Sequence, residues 1–400
     1  MSRIAVIGVG YEGIRPDSKK LLDSAGLVVG GRRHLEMFGI EAERSIILKG
    51  DLSEALSRIE SSEGRVVVLA SGDPGLFGIV RVLSERFDAG DLLVLPAVSS
   101  VSAAFARAGL PWDDALVVSA HGRDPRRAVN VCRSHHKVAV FTSPDFGPAE
   151  LARGLGPSDR TFFVAQKLGE ADERIVCASA AEIAVGEWED PNVVLVWDAA
   201  RAVARKGWIS SGVQSSGGWA LPESEFEYPS GMITKSETRA LILARLGPGR
   251  GDLIWDIGAG SGSVAIECAR LGAAATAIER DPESVARIRR NVERHGVYVE
   301  VVEGEAPAAL KGLLEPDAVF IGGTGGDFAE IVKLAAVRAR RCVVLALIGI
   351  ERVVPAGEIL EDCGLVVETT FLQTSRMKGI GNMHRLVPAS GVFVVVGNRP

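Results

Sequence analysis

Short apolar runs alternate with amphipathic stretches along most of the chain. In its first part the runs lie at 4–7, 27–29, 66–69, 92–95, 116–119, 137–142, 161–165 and 193–197, and helical periodicity fills most of the intervals, including 18–25 and 51–59. From 4 to 69 this is the rhythm of βαβ units, which lay parallel strands side by side. It stops near residue 200. Residues 206–230 have no hydrophobic periodicity and are rich in turn formers (Ser210-Ser211-Gly212, Ser215-Ser216-Gly217-Gly218, Pro222), so a linker is expected there. A second alternation follows, with helices predicted over 236–246, 264–271 and 282–295 and strands over 252–257, 274–278, 298–303 and from 317. Near the end, runs at 366–372 and 391–396 flank 375–388, and an antiparallel hairpin is expected to finish the second sheet.

Composition narrows the reading. A chain of 400 residues exceeds what one core usually serves, so two domains, or two and a subdomain, are expected. The balance of 47% hydrophobic to 24% charged residues is that of a globular protein rather than a disordered one. A net charge of -6 argues against a nucleic-acid partner, which demands a Lys/Arg excess. Cys132, Cys177, Cys268, Cys342 and Cys363 are scattered without a CxxC pair, which suggests neither a disulfide framework nor a zinc site and fits the cytoplasm. The opening run is too short and glycine-bounded for a signal peptide. No apolar run reaches about 18 residues, so no membrane segment is expected.

The strongest chemical signal lies in the second alternation. Asp256-Ile257-Gly258-Ala259-Gly260-Ser261-Gly262-Ser263 joins a buried strand to a helix. Its glycines let a ligand approach the backbone, and the helix start offers free N–H groups to a carboxylate or phosphate. Dinucleotide enzymes carry G-x-G-x-x-G, whereas this loop is G-x-G-x-G, a spacing that favours a methyltransferase. Glu279 ends the next strand, where a carboxylate can accept both hydroxyls of a ribose; this does not discriminate against NAD. Gly304 and Ala306 follow the third strand, and Gly322 the fourth. Taken singly, each glycine turn could merely join strand to helix.

The first part offers Gly8, Gly10 and Gly13 in a dinucleotide-like spacing. Pro16 and Asp17 interrupt the helix that should begin at Gly13, and the second strand ends in Val29-Gly30-Gly31 rather than in an acid, so NAD is rejected there. A better ligand loop is Ala70-Ser71-Gly72-Asp73-Pro74-Gly75-Leu76-Phe77-Gly78, followed by Pro96-Ala97-Val98-Ser99-Ser100 and by Ser119-Ala120-His121-Gly122-Arg123.

On these loops residues 1–200 resemble the tetrapyrrole methylases, and Val29-Gly30-Gly31-Arg32-Arg33-His34-Leu35 with 119–123 is similar to their C-5 methylating branch. Gly231-Met232-Ile233-Thr234-Lys235, the 255–263 run and Phe320-Ile321-Gly322-Gly323 resemble the cobalt-precorrin C-15 methyltransferases, over about 228–400. The segment 345–351, Leu-Ala-Leu-Ile-Gly-Ile-Glu, departs from that family's pattern. The resemblance implies an α/β chain: an N-terminal two-lobed tetrapyrrole methylase fold at 1–204, a linker at 205–230, and a doubly wound, Rossmann-like class I methyltransferase domain at 231–400.

It further implies one S-adenosylmethionine per domain. Gly8, Gly10, Gly72, Asp73, Pro74, Phe77, Ser99, Ser100 and Ala120 would bind it in the first. Thr234, Asp256, Gly258, Ala259, Gly260, Ser261, Gly262, Glu279, Gly304, Ala306 and Gly322 would do so in the second. The implied acceptor is a reduced tetrapyrrole of cobalamin biosynthesis, precorrin-6B, methylated at C-5 by the first domain. The second would methylate C-15 and remove the carboxylate of the ring C acetate at C-12, giving precorrin-8. Members resembling the second domain commonly form tetramers, so a homo-oligomer is expected.

A methyl sulfonium is already activated, so the protein's work is alignment and exclusion of water. This agrees with a sequence showing no Ser/His/Asp set, no paired carboxylates and no metal ligands; His135-His136 lacks a third ligand, and no acid or base is assigned. His34 and His121 each sit beside an arginine in a polar turn and read as solvated or hydrogen-bonded. Carboxylates on the acceptor call for basic forks, with Arg32, Arg33, Arg123, Lys235, Arg376 and Lys378 as candidates, and Arg126 and Arg127 beside them; an ordinary solvated basic face is the alternative for each. Cobalt-bearing precorrins, another methyl acceptor, an oxidoreductase and a non-catalytic module remain open as other readings.

Overall fold

The computed structural model describes residues 3–203, 218–229, 233–323 and 325–400. The expected linker therefore lies outside the described residues up to 217 and at 230, as do Gly231 and Met232.

The first sheet is wholly parallel. Its strands are β1 (Ile4–Val9), β2 (Leu27–Gly30), β3 (Ser45–Ile47), β4 (Val66–Ser71) and β5 (Leu92–Leu95), in the order β3-β2-β4-β1-β5. Ile4, Val6, Val29, Val66 and Val68 enter one core, while Ala5, Ile7, Val28, Val67 and Leu69 enter another on the opposite face. Burial on both faces explains why these strands read as continuous apolar runs. The helix expected from residue 18 begins at Pro16, which occupies the first helical position where its missing N–H costs nothing.

The second sheet is mixed, in the order β6-β7-β10-β8-β9. Its strands are β6 (Leu116–Ser119), β7 (Lys137–Phe141), β8 (Arg160–Gln166), β9 (Arg174–Ser179) and β10 (Asn192–Asp198). Only β6 and β7 are parallel; the other neighbours run antiparallel. Edge strand β9 did not appear in the hydrophobic pattern because most of its residues are exposed.

The third sheet contains β11 (Leu253–Ile257), β12 (Ala274–Glu279), β13 (Glu300–Glu303), β14 (Ala318–Ile321), β15 (Cys342–Leu347) and β16 (Val366–Leu372). A separate two-stranded ribbon, β17 (Ser375–Ile380) and β18 (Met383–Pro388), intervenes before β19 (Val392–Asn398) joins the sheet. The order is β13-β12-β11-β14-β15-β19-β16, with β19 antiparallel to both of its neighbours. The expected terminal hairpin is thus two features: β16 with β19 inside the sheet, and the ribbon outside it. Strand order reverses direction at β11, and in such sheets ligands bind at the carboxyl ends beside the reversal.

The halves meet along the helix Pro125–Ser134. Asn130 donates to the Gly251 carbonyl at 3.0 Å, Arg126 pairs with Asp317 at 3.1 Å, and the Tyr298 hydroxyl donates to Asp198 at 2.5 Å. Residues 218–229, read in the sequence as linker, are bonded to the second half. The Ala220 and Leu221 amides donate to Glu267, and Glu227 and Asn291 exchange hydrogen bonds. Among the described residues no helix is long and apolar enough to cross a membrane.

Candidate active sites

In the second half the chain turns sharply after β11. The Gly258 and Ala259 amides both donate to the Ile278 carbonyl, and the Gly322 amide donates to the Ile257 carbonyl at 2.9 Å. Gly258 has φ +69°, and a Cβ there would stand 2.3 Å from the Gly323 carbonyl oxygen, so only glycine lets the two loops close on each other. Glu279 is built into the same turn. One carboxylate oxygen accepts the Gly260 amide at 2.8 Å, and the other accepts the Arg280 and Asp281 amides. Around them lies a cavity of about 220 Å³ lined by Gly258, Glu279, Gly304, Ala306 and Gly323. Arg280 and Glu305, paired at 2.6 Å, also border it; neither was singled out from the sequence, because their meeting depends on strand order.

Asp256 lies fully buried under this loop. One oxygen accepts the Ala265 amide at 3.0 Å, and the other has no partner among the described residues. Burial, opposed by that amide and reinforced by the charge of Glu279, raises its carboxyl to about 7. Ser261 passes its carbonyl to Asn291, and Gly262, at φ +74°, packs against Ile288 at the helix start. The Thr234 carbonyl accepts from buried Arg239 at 2.6 Å, and Arg239 pairs with buried Glu267 at 2.5 Å. Thr234 is therefore fixed at the start of the helix Ser236–Leu246.

In the first half the tips of β1, β4 and β5 are stitched together. A Cβ on Gly8 would stand 2.1 Å from the Gly72 carbonyl oxygen and 2.5 Å from the Ala97 nitrogen, and Ala97 donates to that carbonyl at 3.2 Å. A Cβ on Gly10 would meet Ala97, and one on Gly72 would meet the Ser99 backbone. Asp73 folds its carboxylate back onto the Gly75 amide at 2.8 Å, and Pro74 is buried. Ser99 caps the helix Ser100–Ala108 by accepting the Ser102 amide. These residues form one cradle. Phe77, at φ +53°, reaches from it across to the second sheet: its ring lies edge-on to Phe141 at 5.9 Å, under the Arg123 guanidinium at 5.4 Å. Ala120 is buried there and donates to the Phe141 carbonyl.

The expected cations have different surroundings. Arg32, Arg33 and Arg123 are exposed in the first half, Arg33 bonding to Glu170 at 2.5 Å. Lys235 precedes the helix at Thr234, and Lys378 is exposed on the ribbon. Arg376, also on the ribbon, is held by Glu223 at 2.9 Å and Glu237 at 2.7 Å. Burial would raise the Glu223 carboxyl, but Arg376 and the Ser236 amide outweigh it and bring it down to about 2. Arg126 and Arg127 lie at the seam between halves rather than in the first-half cleft. His34, expected in a polar turn, is buried and shares a 3.3 Å hydrogen bond with Ser71; burial and Arg33 lower its pKa. His136 and Lys137 converge on Asp114, and no group of three candidate metal ligands occurs among the described residues.

The chemistry of the second cradle fits S-adenosylmethionine. Glycine-walled backbone admits a flat base, and the Glu279 carboxylate can accept from a ribose.

Known proteins agree. Residues 3–184 match the tetrapyrrole (corrin/porphyrin) methylases, and residues 225–397 match the precorrin methyltransferase domain. A precorrin-6Y C(5,15)-methyltransferase [decarboxylating] of Sinorhizobium sp is 39% identical over 347 residues, covering 81% of this chain and 79% of the relative. One from Mycobacterium tuberculosis is 32% identical over 330 residues, covering 80% of each. A cobalt-precorrin-7 C(5)-methyltransferase of Salmonella typhimurium is 32% identical over 179 residues, covering 43% of this chain and 88% of its own length. Two glycine cradles and relatives that span both halves lead to one conclusion: the chain belongs to the precorrin-6Y C(5,15)-methyltransferase (decarboxylating) family of S-adenosylmethionine-dependent enzymes.

Proposed function

We propose that this chain makes two methyl transfers to one reduced tetrapyrrole in cobalamin biosynthesis, converting precorrin-6B to precorrin-8. The first domain, 1–204, methylates C-5. The second, 231–400, methylates C-15 and releases the C-12 acetate carboxylate. The observation that carries this reading is the presence of two separate glycine-walled cradles, one in each half, each at the carboxyl ends of its strands.

S-adenosylmethionine supplies an activated methyl group, one cofactor per domain. In the second domain Glu279 would hold the ribose hydroxyls, Gly304 and Ala306 would edge the base, and the loop 258–262 with Thr234 would take the methionine end. In the first, Gly8, Gly10, Gly72, Asp73 and Pro74 would wall the cofactor, with Ser99, Ser100 and Ala120 beside them. Phe77 would exclude water from the cleft between sheets. Alignment and dryness are the protein's main contributions to such a transfer. The macrocycle would supply its own electron sink for decarboxylation, and any cobalt would belong to it. Arg32, Arg33, Arg123, Lys235 and Lys378 would meet its carboxylates, with Arg376 contributing at the ribbon.

A homo-oligomer, in the form of a tetramer built through the C-terminal domain, is part of this proposal. Met377, Ile380, Met383 and Leu386 stand exposed on the ribbon and would be covered by it. A cytoplasmic setting suits the scattered free cysteines.

The test is mass spectrometry of precorrin-6B incubated with S-adenosylmethionine and the full chain. Gain of two methyl groups with loss of one carbon dioxide is expected. Gly8→Val should remove only the C-5 event, and Gly258→Val only the C-15 event with the decarboxylation. An unchanged macrocycle with cofactor bound would direct the same assay to cobalt-precorrins, and failure there would overturn the reading.

A further inference from the structure

Residues 218–229 form neither strand nor helix apart from one turn at Glu223–Glu225, so their backbone groups need partners from elsewhere. Three helices supply them. Glu267, from the helix Ser263–Arg270, accepts the Ala220 amide at 2.5 Å and the Leu221 amide at 3.0 Å. Asn291, from the helix Pro282–His295, accepts the Glu227 amide at 2.8 Å and donates to the Glu227 carbonyl at 2.9 Å. Arg239, from the helix Ser236–Leu246, donates to the Leu221 carbonyl and pairs with Glu267. All three side chains are 0% exposed. Between these ties Phe226 is buried, with its ring under the Arg239 guanidinium at 4.8 Å and against His295.

Two of the same side chains also hold the second cradle. The Asn291 amide nitrogen that bonds Glu227 donates as well to the Ser261 carbonyl, at 2.9 Å. Arg239 donates to the Thr234 carbonyl at 2.6 Å. Ser261 and Thr234 are the residues placed at the methionine end of the cofactor, so each is joined to the segment 218–229 through one buried side chain. A third tie runs from Glu223, which accepts the Ser236 amide at 3.1 Å where the helix after Thr234 begins.

Burying a carboxamide and an ion pair costs desolvation that apolar side chains would avoid, and a network whose members are all bonded fixes one arrangement in return. We propose that residues 218–229 are a strap that sets the methionine end of the second cradle, with Asn291 as its positioning residue. Asn291 bridges strap and loop, so the place of Ser261 relative to Thr234 follows from how the strap is seated and not from the sheet alone. The inference rests on the reading that puts S-adenosylmethionine in this cradle.

Asn291→Ala suits the helix and removes all three hydrogen bonds. The full-length parent and variant are titrated calorimetrically with S-adenosylhomocysteine. The parent should bind two per chain. The variant should keep one event unchanged and weaken the other, the one that Gly258→Val abolishes, at least about tenfold. In the precorrin assay the KM for S-adenosylmethionine should rise by about the same factor for the C-15 transfer alone. A role confined to stability would lower Tm and leave both affinities at the parent's values, which overturns the proposal. Should the variant fail to fold, hydrogen exchange on the parent decides. S-adenosylhomocysteine should slow exchange in peptides spanning 219–228 by at least about threefold beyond any change in the peptide covering β19, and equal slowing of the two overturns the proposal. The two readings fail differently. A parent that binds in the first cradle only overturns the assignment of the second cradle and this inference with it, whereas two events in the parent and unaltered affinities in Asn291→Ala overturn this inference alone.

Discussion

Gly258 faces Gly323 so closely that a single added methyl group would overlap the carbonyl oxygen, at 2.3 Å. The loop after β11 and the loop after β14 therefore share one wall of the second cradle. Gly258→Ala must strain a backbone at φ +69° and push the two loops apart, a cost of at least about 2 kcal/mol. Calorimetry should then find one bound S-adenosylhomocysteine per chain instead of two. In the precorrin assay C-5 methylation should persist while C-15 methylation and decarboxylation disappear. Retention of both binding events would refute the assignment of this loop.

The ribbon is tied to the domain by Arg376, whose guanidinium reaches both Glu223 and Glu237. Glu223 titrates near 2, below the ordinary glutamate value of 4.5. A lowered carboxylate pKa adds stability above the unfolded-state value and loses it as pH falls toward the folded one. Acid unfolding should therefore steepen between about pH 4.5 and 2. Arg376→Met should destabilise the second domain by about 2 kcal/mol at pH 7 and flatten that acid limb, because it leaves Glu223 buried without its cation. Urea titrations from pH 2 to 7 read both effects. A raised precorrin KM with unaltered stability would instead favour a role in substrate binding alone.

Asp256 behaves in the opposite sense. Its carboxyl is raised to about 7 by burial, so its contribution to stability is present below about pH 4 and lost as pH climbs through 7. Asp256→Asn keeps the acceptor for the Ala265 amide and removes the titration. The variant should gain on the parent, by a few kcal/mol, as pH is raised from 5 to 8. Denaturation at those two pH values measures it. Parallel curves for the two proteins would mean that Asp256 is charged throughout and held by some other partner.

How far the sequence could be read follows from what each segment had to satisfy. The helix 282–295 was found at both ends because Asp281 caps it, Pro282 opens it and Gly296 closes it at φ +61°. Local chemistry of that kind needs no knowledge of neighbours. Strand direction is different: β6 and β7 are parallel and β7 and β10 antiparallel, yet all three read as similar apolar runs. Edge strand β9 has too little buried surface to leave a pattern. Around the second cavity Glu279, Gly304 and Ala306 were legible because each ends or follows a strand, whereas Arg280 and Glu305 meet there through the placement of β12 beside β13. His34 was misplaced for a related reason. Its arginine neighbours suggested a polar turn, but β2 lies between β3 and β4, which buries the ring against Ser71.

Phe77 provides a test of the first cleft that separates stability from catalysis. A phenylalanine at φ +53° holds strain of about 1 kcal/mol. Its edge-on contact with Phe141 returns a similar amount, about 0.5–1.5 kcal/mol. The two terms nearly cancel, so Phe77→Gly, which relieves the backbone and deletes the ring, should shift Tm by only a few degrees. If the ring closes the cleft over the C-5 site, its loss admits water and frees Arg123 to move away. The kcat/KM for C-5 methylation should then fall at least about tenfold, with C-15 methylation unchanged in the same reaction. Phe77→Leu retains the strain and part of the bulk, and should be the less stable but the more active of the two. The reverse order would show that Phe77 shapes the backbone of the loop and takes no part in closing the site.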